Sequence, residues 1–276
     1  MPELPEVELV AQALNKLVSN RRVVAAELLR ERLAPENPPP DFAERLGNSL
    51  INRVNRRGKH VLFDFDNGNT LITHLRMSGR FMLLPFEREL PKYTHAVLYF
   101  NDETRLIFQD QRHFGLMKIV GSDELNEAKE IKKLAPEPFS DDFDLKYFRA
   151  ALKTSKRSLK EFLLDQTKVC GLGNIYASEA MHLARINPQI SADKVSARKA
   201  VVLREKILEV LRESIAHGST LNFDPENIDG SYYGGGYENR WLVYDQENSP
   251  CTSCQTEIKR LKQAGRSTYF CPKCQK

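Results

Sequence analysis

Val61-Leu62-Phe63-Asp64-Phe65-Asp66-Asn67-Gly68-Asn69-Thr70-Leu71-Ile72-Thr73-His74 is the stretch that decides the first half of this chain. Residues 61–65 are a short β-rich run, Asp66-Asn67-Gly68 supplies turn chemistry, and residues 71–74 return such a run. Two β-rich runs flanking such a turn predict a β-hairpin. Residues 97–100 and 105–108 flank Asn101-Asp102-Glu103 in the same way, and short β-rich runs with turns between them extend from 23 to 120. This half therefore reads as a β-sandwich or barrel. Ahead of it Val7, Val10, Ala11, Leu14, Leu17 and Val18 recur at helical spacing, which predicts an amphipathic first helix packed on the strands.

Beyond residue 120 the pattern changes. The acidic stretch 124–142, with Pro136 and Pro138, reads as a linker. Leu145, Phe148 and Leu152, then 159–164, then 175–184, return at helical spacing, and a long helix is predicted over 194–216, stopping before Gly218. Residues 219–239 have no clean period and set Gly230 and Gly234-Gly235-Gly236 among Tyr232, Tyr233 and Tyr237, the composition of a mobile loop. The fold class is α+β: an N-terminal β-sandwich domain over 1–123, a linker over 124–143, a helical domain over 144–240 that carries the loop 219–240, and a cysteine-rich end over 241–276.

At 276 residues the chain is long enough for two domains, and 41% hydrophobic with 28% charged residues is the balance of a soluble protein. No apolar run reaches the roughly 18 residues that span a bilayer, and no basic segment followed by an apolar one opens the chain, so the expected location is the cytoplasm or nucleoid. A net charge of +4 and a pI near 8.7 permit a polyanionic partner without demanding one. Basic residues gather at Arg53, Arg56, Arg57 and Lys59, over 153–160 and over 259–266. Such runs are commonly solvated faces, so they shift the balance towards nucleic acid only modestly.

Three motifs carry chemistry. Cys251-x2-Cys254 and Cys271-x2-Cys274 present two knuckles with sixteen residues between them, the spacing of a closed four-thiolate structural zinc site. Two disulfides or four idle thiols are the competing readings, and both fit poorly in a chain with no secretory signal. Lys259, Arg260, Lys262 and Arg266 lie between the knuckles, with Ala264-Gly265 as the hairpin tip, so a zinc-pinned basic hairpin is predicted to face phosphates. Gly171-Leu172-Gly173-Asn174 joins two helices: the glycines permit close backbone approach, Asn174 can cap the second helix, and its first N–H groups suit an anion or nothing beyond an ordinary cap. At the start, removal of Met1 would leave Pro2 as a secondary amine beside Glu3 and Glu6. An α-amine titrating near roughly pH 8 is partly unprotonated and nucleophilic at neutrality. The plainer alternative is a proline in the first turn of a helix, with the glutamates complementing its dipole.

Together, Met1-Pro2-Glu3-Leu4-Pro5-Glu6-Val7-Glu8, Gly171-Leu172-Gly173-Asn174-Ile175-Tyr176-Ala177 and Gly265-Arg266-Ser267-Thr268-Tyr269-Phe270-Cys271-Pro272-x-Cys274 resemble the formamidopyrimidine-DNA glycosylase (Fpg/MutM) family, within the Fpg/Nei group of base-excision repair enzymes. The resemblance runs from the first residue nearly to the last. It implies a helix-two-turn-helix DNA-binding domain between the sandwich and the zinc finger, one structural Zn2+, and a monomer acting on double-stranded DNA with oxidised bases or abasic sites. It further implies a bifunctional glycosylase and AP lyase for oxidised purines, 8-oxoguanine and formamidopyrimidines. In that scheme Pro2 attacks C1′ and forms a Schiff base, Glu3 transfers protons at the sugar, Glu6 supports the site, and β and δ eliminations follow.

By the same resemblance Lys59 matches a hairpin lysine that contacts phosphate and the lesion side. A base inside the duplex must be rotated out before C1′ is reached, so the void needs filling. Met77, Arg112 and Phe114 match the void-filling residues, although Met and Phe at such positions are more commonly core. His74, Asn174, Tyr244, Arg260 and Arg266 match phosphate contacts. The chain departs from the family over 221–240, where Asp224-Pro225-Glu226-Asn227 and the Gly/Tyr-rich run differ from the usual lesion-capping loop, at His113, and at Ala135. The loop leaves hydantoins or oxidised pyrimidines as alternative substrates for the same chemistry. A non-catalytic protein that binds damaged DNA is the competing class, and Pro2 with Glu3 speaks against it.

Overall fold

Around the 61–74 hairpin the chain builds eight strands: β1 (Arg22–Leu28), β2 (Ser49–Arg57), β3 (His60–Phe65), β4 (Asn69–His74), β5 (Arg80–Pro85), β6 (Thr94–Phe100), β7 (Thr104–Gln109) and β8 (Leu116–Gly121). The protein is described by a computed structural model that covers residues 1–224, 227–228, 230–231 and 235–276. β3 pairs antiparallel with β4, Val61 opposite Thr73 and Phe63 opposite Leu71, so the predicted hairpin forms. The strands hydrogen-bond in the order β5-β7-β6-β1-β2-β3-β4-β8. The central link is slender, with Arg22 opposite Leu50 and Val23 opposite Ser49. Strands from either side of that link share one core, in which the Phe81 ring of β5 lies 5.3 Å from Phe63 of β3 and 5.2 Å from Phe108 of β7. Two sheet halves closing on a common apolar layer are the expected sandwich.

Helix α1 (Leu4–Val18) lays Val7, Val10, Ala11, Leu14 and Val18 into that core, all at most 3% exposed. Its i, i+3, i+4, i+7 spacing provides the continuous apolar stripe. A short helix α2 (Pro39–Leu46) was not legible in the β-rich reading; it starts on prolines, where a missing N–H costs nothing, and buries Phe42 and Leu46.

The second unit is helical: α3 (Leu145–Lys153), α4 (Leu159–Leu164), α5 (Asn174–Leu183) and α6 (Ala197–Ala216). Their starts follow capping rules. Asp144 accepts from Tyr147 N, Ser158 and Glu161 form a capping box, and Ser196 accepts from Lys199 N. Fully buried Tyr176 of α5 shares a 2.6 Å hydrogen bond with Ser214 of α6.

The loop region contains a two-residue pairing of β9 (Asn222–Phe223) with β10 (Gly230–Ser231). Leu221 and Ile228 are buried in the sheet unit's core, and Leu83 N on β5 donates to Asn227 O at 2.9 Å. The sheet unit accordingly comprises Met1–Pro2, Glu6–Lys132 and Leu221–Gly235, and the helical unit Glu3–Pro5, Lys133–Thr220 and Gly236–Lys276. The sequence division placed all of 219–240 in the helical domain; two apolar anchors and one backbone bond attach 221–235 to the strands instead. Pro225, Glu226, Asp229, Tyr232, Tyr233 and Gly234, on which part of the mobile-loop expectation rests, lie outside the described residues.

The cysteine-rich end forms β11 (Lys259–Gln263) and β12 (Arg266–Phe270), joined at Ala264 (φ 46°) and Gly265 (φ 75°), the expected tip. Left-handed backbone at both central positions is the geometry of a tight hairpin turn. Among the described residues no helix is long and apolar enough to cross a membrane.

Candidate nucleic-acid and catalytic site

Pro2 is buried and stands ahead of α1; the proline within the helix's first turn is Pro5. The first-turn explanation therefore belongs to Pro5 and leaves Pro2 without a helical role. Glu3, 3% exposed, turns its carboxylate to the start of α5, where Ile175 N donates to Oε1 at 2.9 Å and Tyr176 N to Oε2 at 3.4 Å. These are the N–H groups that the sequence offered to an external anion. An internal carboxylate takes them, and Gly173, not Asn174, occupies the capping position, with no side-chain cap bond. A helix N-terminus carries about half a positive charge, so the carboxylate is held there electrostatically as well.

Gly173 makes this capture possible. A Cβ at that position would lie 2.3 Å from Glu3 Cδ. Gly171 has φ 77°, its carbonyl accepts from Leu4 N at 3.0 Å, and a Cβ there would lie 2.6 Å from Leu4 Cδ1. Glu6, 2% exposed, lies in the first turn of α1.

Lys160 is one group that sequence reading missed. It was one of a basic run, yet its side chain is fully buried, with Nζ donating to Asn174 O at 3.0 Å and Ser178 Oγ at 2.6 Å. Burial lowers its ammonium pKa to about 7 against the raising influence of the Glu3 carboxylate, while Arg266 lowers it further. The capping box at Ser158 with Leu159, Phe162 and Leu163 buried on α4 was the available signal, because it sets Lys160 beside an apolar face. Glu179 of α5, also buried, collects Leu242 N at 2.8 Å, Val243 N at 3.0 Å and Tyr244 N at 2.8 Å. Burial raises its carboxyl pKa and those three N–H groups oppose the rise.

Around this helix lie the expected phosphate contacts of the helical unit. Asn174 Nδ2 donates to Ser267 O at 3.0 Å. Tyr244 packs edge-on to Tyr269, with ring centroids 5.3 Å apart. Arg266 is exposed, and Arg260 is exposed with Nε bonded to Ser267 Oγ at 3.0 Å. The four thiols behind them have sulfurs within 4.8 Å of one another. Cys251 and Cys274 are 3.9 Å apart and Cys254 and Cys271 3.5 Å, so neither pair is a disulfide. A tetrahedral ion with Zn–S bonds near 2.3 Å requires sulfurs about 3.8 Å apart, so the donor set fits. Cys170, the remaining cysteine, is buried with Sγ 3.7 Å from Glu137 Oε1.

In the sheet unit, Lys59 is 5% exposed beside Gly58 (φ 59°) in the β2–β3 turn. His74 accepts from Arg76 N at Nδ1 (3.0 Å), which places its proton on Nε2. Desolvation lowers the His74 pKa to about 2 and that of its edge-on neighbour His60 to about 4. Both rings are thus neutral at pH 7, and His74 can meet a phosphate only as an uncharged donor. The two line a cavity of about 360 Å³ with Arg76, Leu116 and Lys118.

Met77 and Phe114 are 42% and 55% exposed, which removes the core explanation for both. Arg112 is exposed, its guanidinium 5.5 Å from the Phe114 ring. Buried Asp110, which the sequence did not single out, organises both loops: it accepts from Ser78 Oγ, from Arg112 N at 3.1 Å and from Gly115 N at 2.7 Å. Burial opposes its ionisation, but the Ser78 hydroxyl and the backbone N–H groups hold its carboxyl below the usual range. His113 is accommodated by His95, whose Nε2 lies 3.0 Å from His113 Nδ1 and 2.8 Å from Asp110 O.

A strand unit with exposed apolar and cationic loop tips, a helical unit whose α5 start holds a carboxylate, and a basic four-cysteine hairpin are the parts of a zinc-finger DNA-repair glycosylase. Residues 1–117 match the formamidopyrimidine-DNA glycosylase N-terminal domain, 134–224 its H2TH domain, and 248–276 the zinc finger found in FPG and IleRS. The formamidopyrimidine-DNA glycosylase of Ligilactobacillus salivarius is 38% identical over 100% of this chain and 99% of its own length, and that of Lactiplantibacillus plantarum 36% identical over 99% and 98%. The Lactococcus lactis Fpg in complex with abasic-site DNA superposes with a TM-score of 0.91 at 33% identity, covering 99% of both chains. The chain belongs to the formamidopyrimidine-DNA glycosylase family.

Proposed function

We propose that this protein is a bifunctional glycosylase and abasic-site lyase that removes oxidised purines from duplex DNA as a monomer, with Pro2 as nucleophile. The observation that carries the reading is the capture of Glu3 at the start of α5, which fixes a carboxylate on the residue peptide-bonded to Pro2. In support, the Lactococcus lactis relative is solved with abasic-site DNA and with N7-benzyl-Fapy-dG DNA.

The Pro2 nitrogen, freed by removal of Met1, attacks C1′ of the damaged nucleotide as the C1′–N bond to the base breaks and the base departs with a proton. Proton transfer through Glu3 to the sugar ring oxygen opens the ring, and loss of the amine proton leaves an iminium at C1′. Abstraction of a C2′ proton breaks the C3′–O bond, a second elimination breaks C5′–O, and water releases the enzyme from the sugar fragment. Glu6 and Lys59 support the centre and its phosphates. Met77, Arg112 and Phe114 fill the void left by the extruded base, and Asn174, Tyr244, Arg260, Arg266 and His74 hold the backbone. Cys251, Cys254, Cys271 and Cys274 hold one zinc ion with no open position, so the metal is structural.

Borohydride trapping with duplexes that each carry one defined lesion tests the reading. Purines such as 8-oxoguanine and formamidopyrimidines yield the covalent adduct fastest. A ranking headed by hydantoins or oxidised pyrimidines reassigns the substrate, and tight binding with no adduct on any lesion rejects the enzyme.

Three substitutions probe the geometry. Gly173→Ala displaces the Glu3 carboxylate and lowers kcat/KM about 100-fold with the fold retained, since misplacement by about 1 Å of a catalytic group costs that much. Single-turnover cleavage checks it against the unfolding midpoint. Arg266→Ala flattens the dependence of log affinity on log salt by about one unit. His74→Ala weakens binding with that slope unchanged, because the ring is neutral; a lowered slope would show that it binds as a cation.

A further inference from the structure

The zinc-binding cysteines all lie within 251–274, so an ion among them fixes the hairpin internally and does nothing to place it against α5. Placement comes from hydrogen bonds together with the packing of Tyr244 on Tyr269. At one end of α5, Asn174 Nδ2 holds Ser267 O at 3.0 Å. Towards the other end, Gln275 lies 1% exposed with its amide engaged at both atoms. Its Oε1 accepts from Cys271 N at 2.8 Å, which fixes the amide orientation, and lies 3.2 Å from His182 Nδ1 of α5, which must then be the donor. Its Nε2 donates to Ile186 O at 3.0 Å, just beyond the helix. The fastenings at 174 and 182 are about 12 Å apart along a helix rising 1.5 Å per residue, so they set the direction of the hairpin as well as its distance.

We propose that Gln275, through His182, is a positioning residue for DNA cleavage: it aligns the zinc hairpin along α5, so that Arg260 and Arg266 meet the phosphates in register with Glu3, which the same helix holds. This inference rests on the proposed role of the hairpin in phosphate binding. A satisfied buried amide is costly to disrupt, because each abandoned partner loses its bond without regaining water.

The test uses the full-length zinc-loaded protein on an abasic-site duplex, with KM, kcat, DNA affinity and zinc per chain measured together. Gln275→Ala raises KM and weakens DNA binding about tenfold, the loss of one to two net hydrogen bonds, while kcat stays within about twofold. One zinc per chain is retained. His182→Phe reproduces the effect, and His182→Asn, whose amide N–H replaces the Nδ1–H, restores wild-type KM. Unchanged KM in Gln275→Ala, loss of zinc in proportion to loss of binding, or failure of His182→Asn to restore KM each overturns the proposal. If wild-type protein traps no adduct on any duplex, the catalytic reading fails by itself, and the DNA-affinity series still decides the role of Gln275.

Discussion

Protein that keeps Met1 ahead of Pro2, or carries an N-terminal tag, forms no borohydride-trapped adduct, while correctly processed protein does. An amide nitrogen has no free lone pair to attack C1′, so the loss is complete and not graded. DNA binding persists, since Met77, Arg112, Phe114 and the hairpin cations are unaltered by the extra residue. Mass spectrometry of each preparation fixes the state of the terminus, and gel-resolved trapping together with equilibrium binding reads the two activities. An adduct of equal yield from the blocked chain would move the nucleophile away from Pro2.

Stripping the metal is expected to be nearly as severe. Chelation releases the thiols, the β11–β12 hairpin loses its frame, and DNA affinity falls about 100-fold or more as several phosphate contacts are lost together. The sheet unit survives, because its core draws no residue from 241–276. Trp241, the single tryptophan, packs 4.9 Å from Tyr244 and so reports the disturbance by fluorescence. Amide exchange over β1–β8 reports the sheet. Parallel loss of protection in the strands and of DNA affinity would refute independent stability of the two units.

The hairpin at 61–74, the amphipathic stripe of α1, the capped helices and the thiol cluster were legible because each is written in local pattern: β-rich runs flanking a turn, period 3.6, cap residues and knuckle spacing. α2 was obscured because three prolines mask its start and only Phe42 and Leu46 mark its buried face. The anchoring of 221–235 to the strands depends on Leu221 and Ile228 meeting side chains distant in sequence, which no local period records. Among site residues, Glu3 and Gly173 could be named but not joined. Their contact, separated by 170 positions, is what converts two short motifs into one device. Lys160, Asp110 and Gln275 share a different cause of invisibility: each is a polar residue whose partners are mostly backbone atoms or buried groups, and a sequence shows the residue without the burial.

The backbone bond from Leu83 N to Asn227 O has a consequence for how this chain tolerates change. β5 stands at one end of the sheet order, and an outermost strand left bare is a template on which another chain can add. The segment that carries Asn227 therefore also lies at a sheet border, and shortening it there would open β5 to intermolecular pairing.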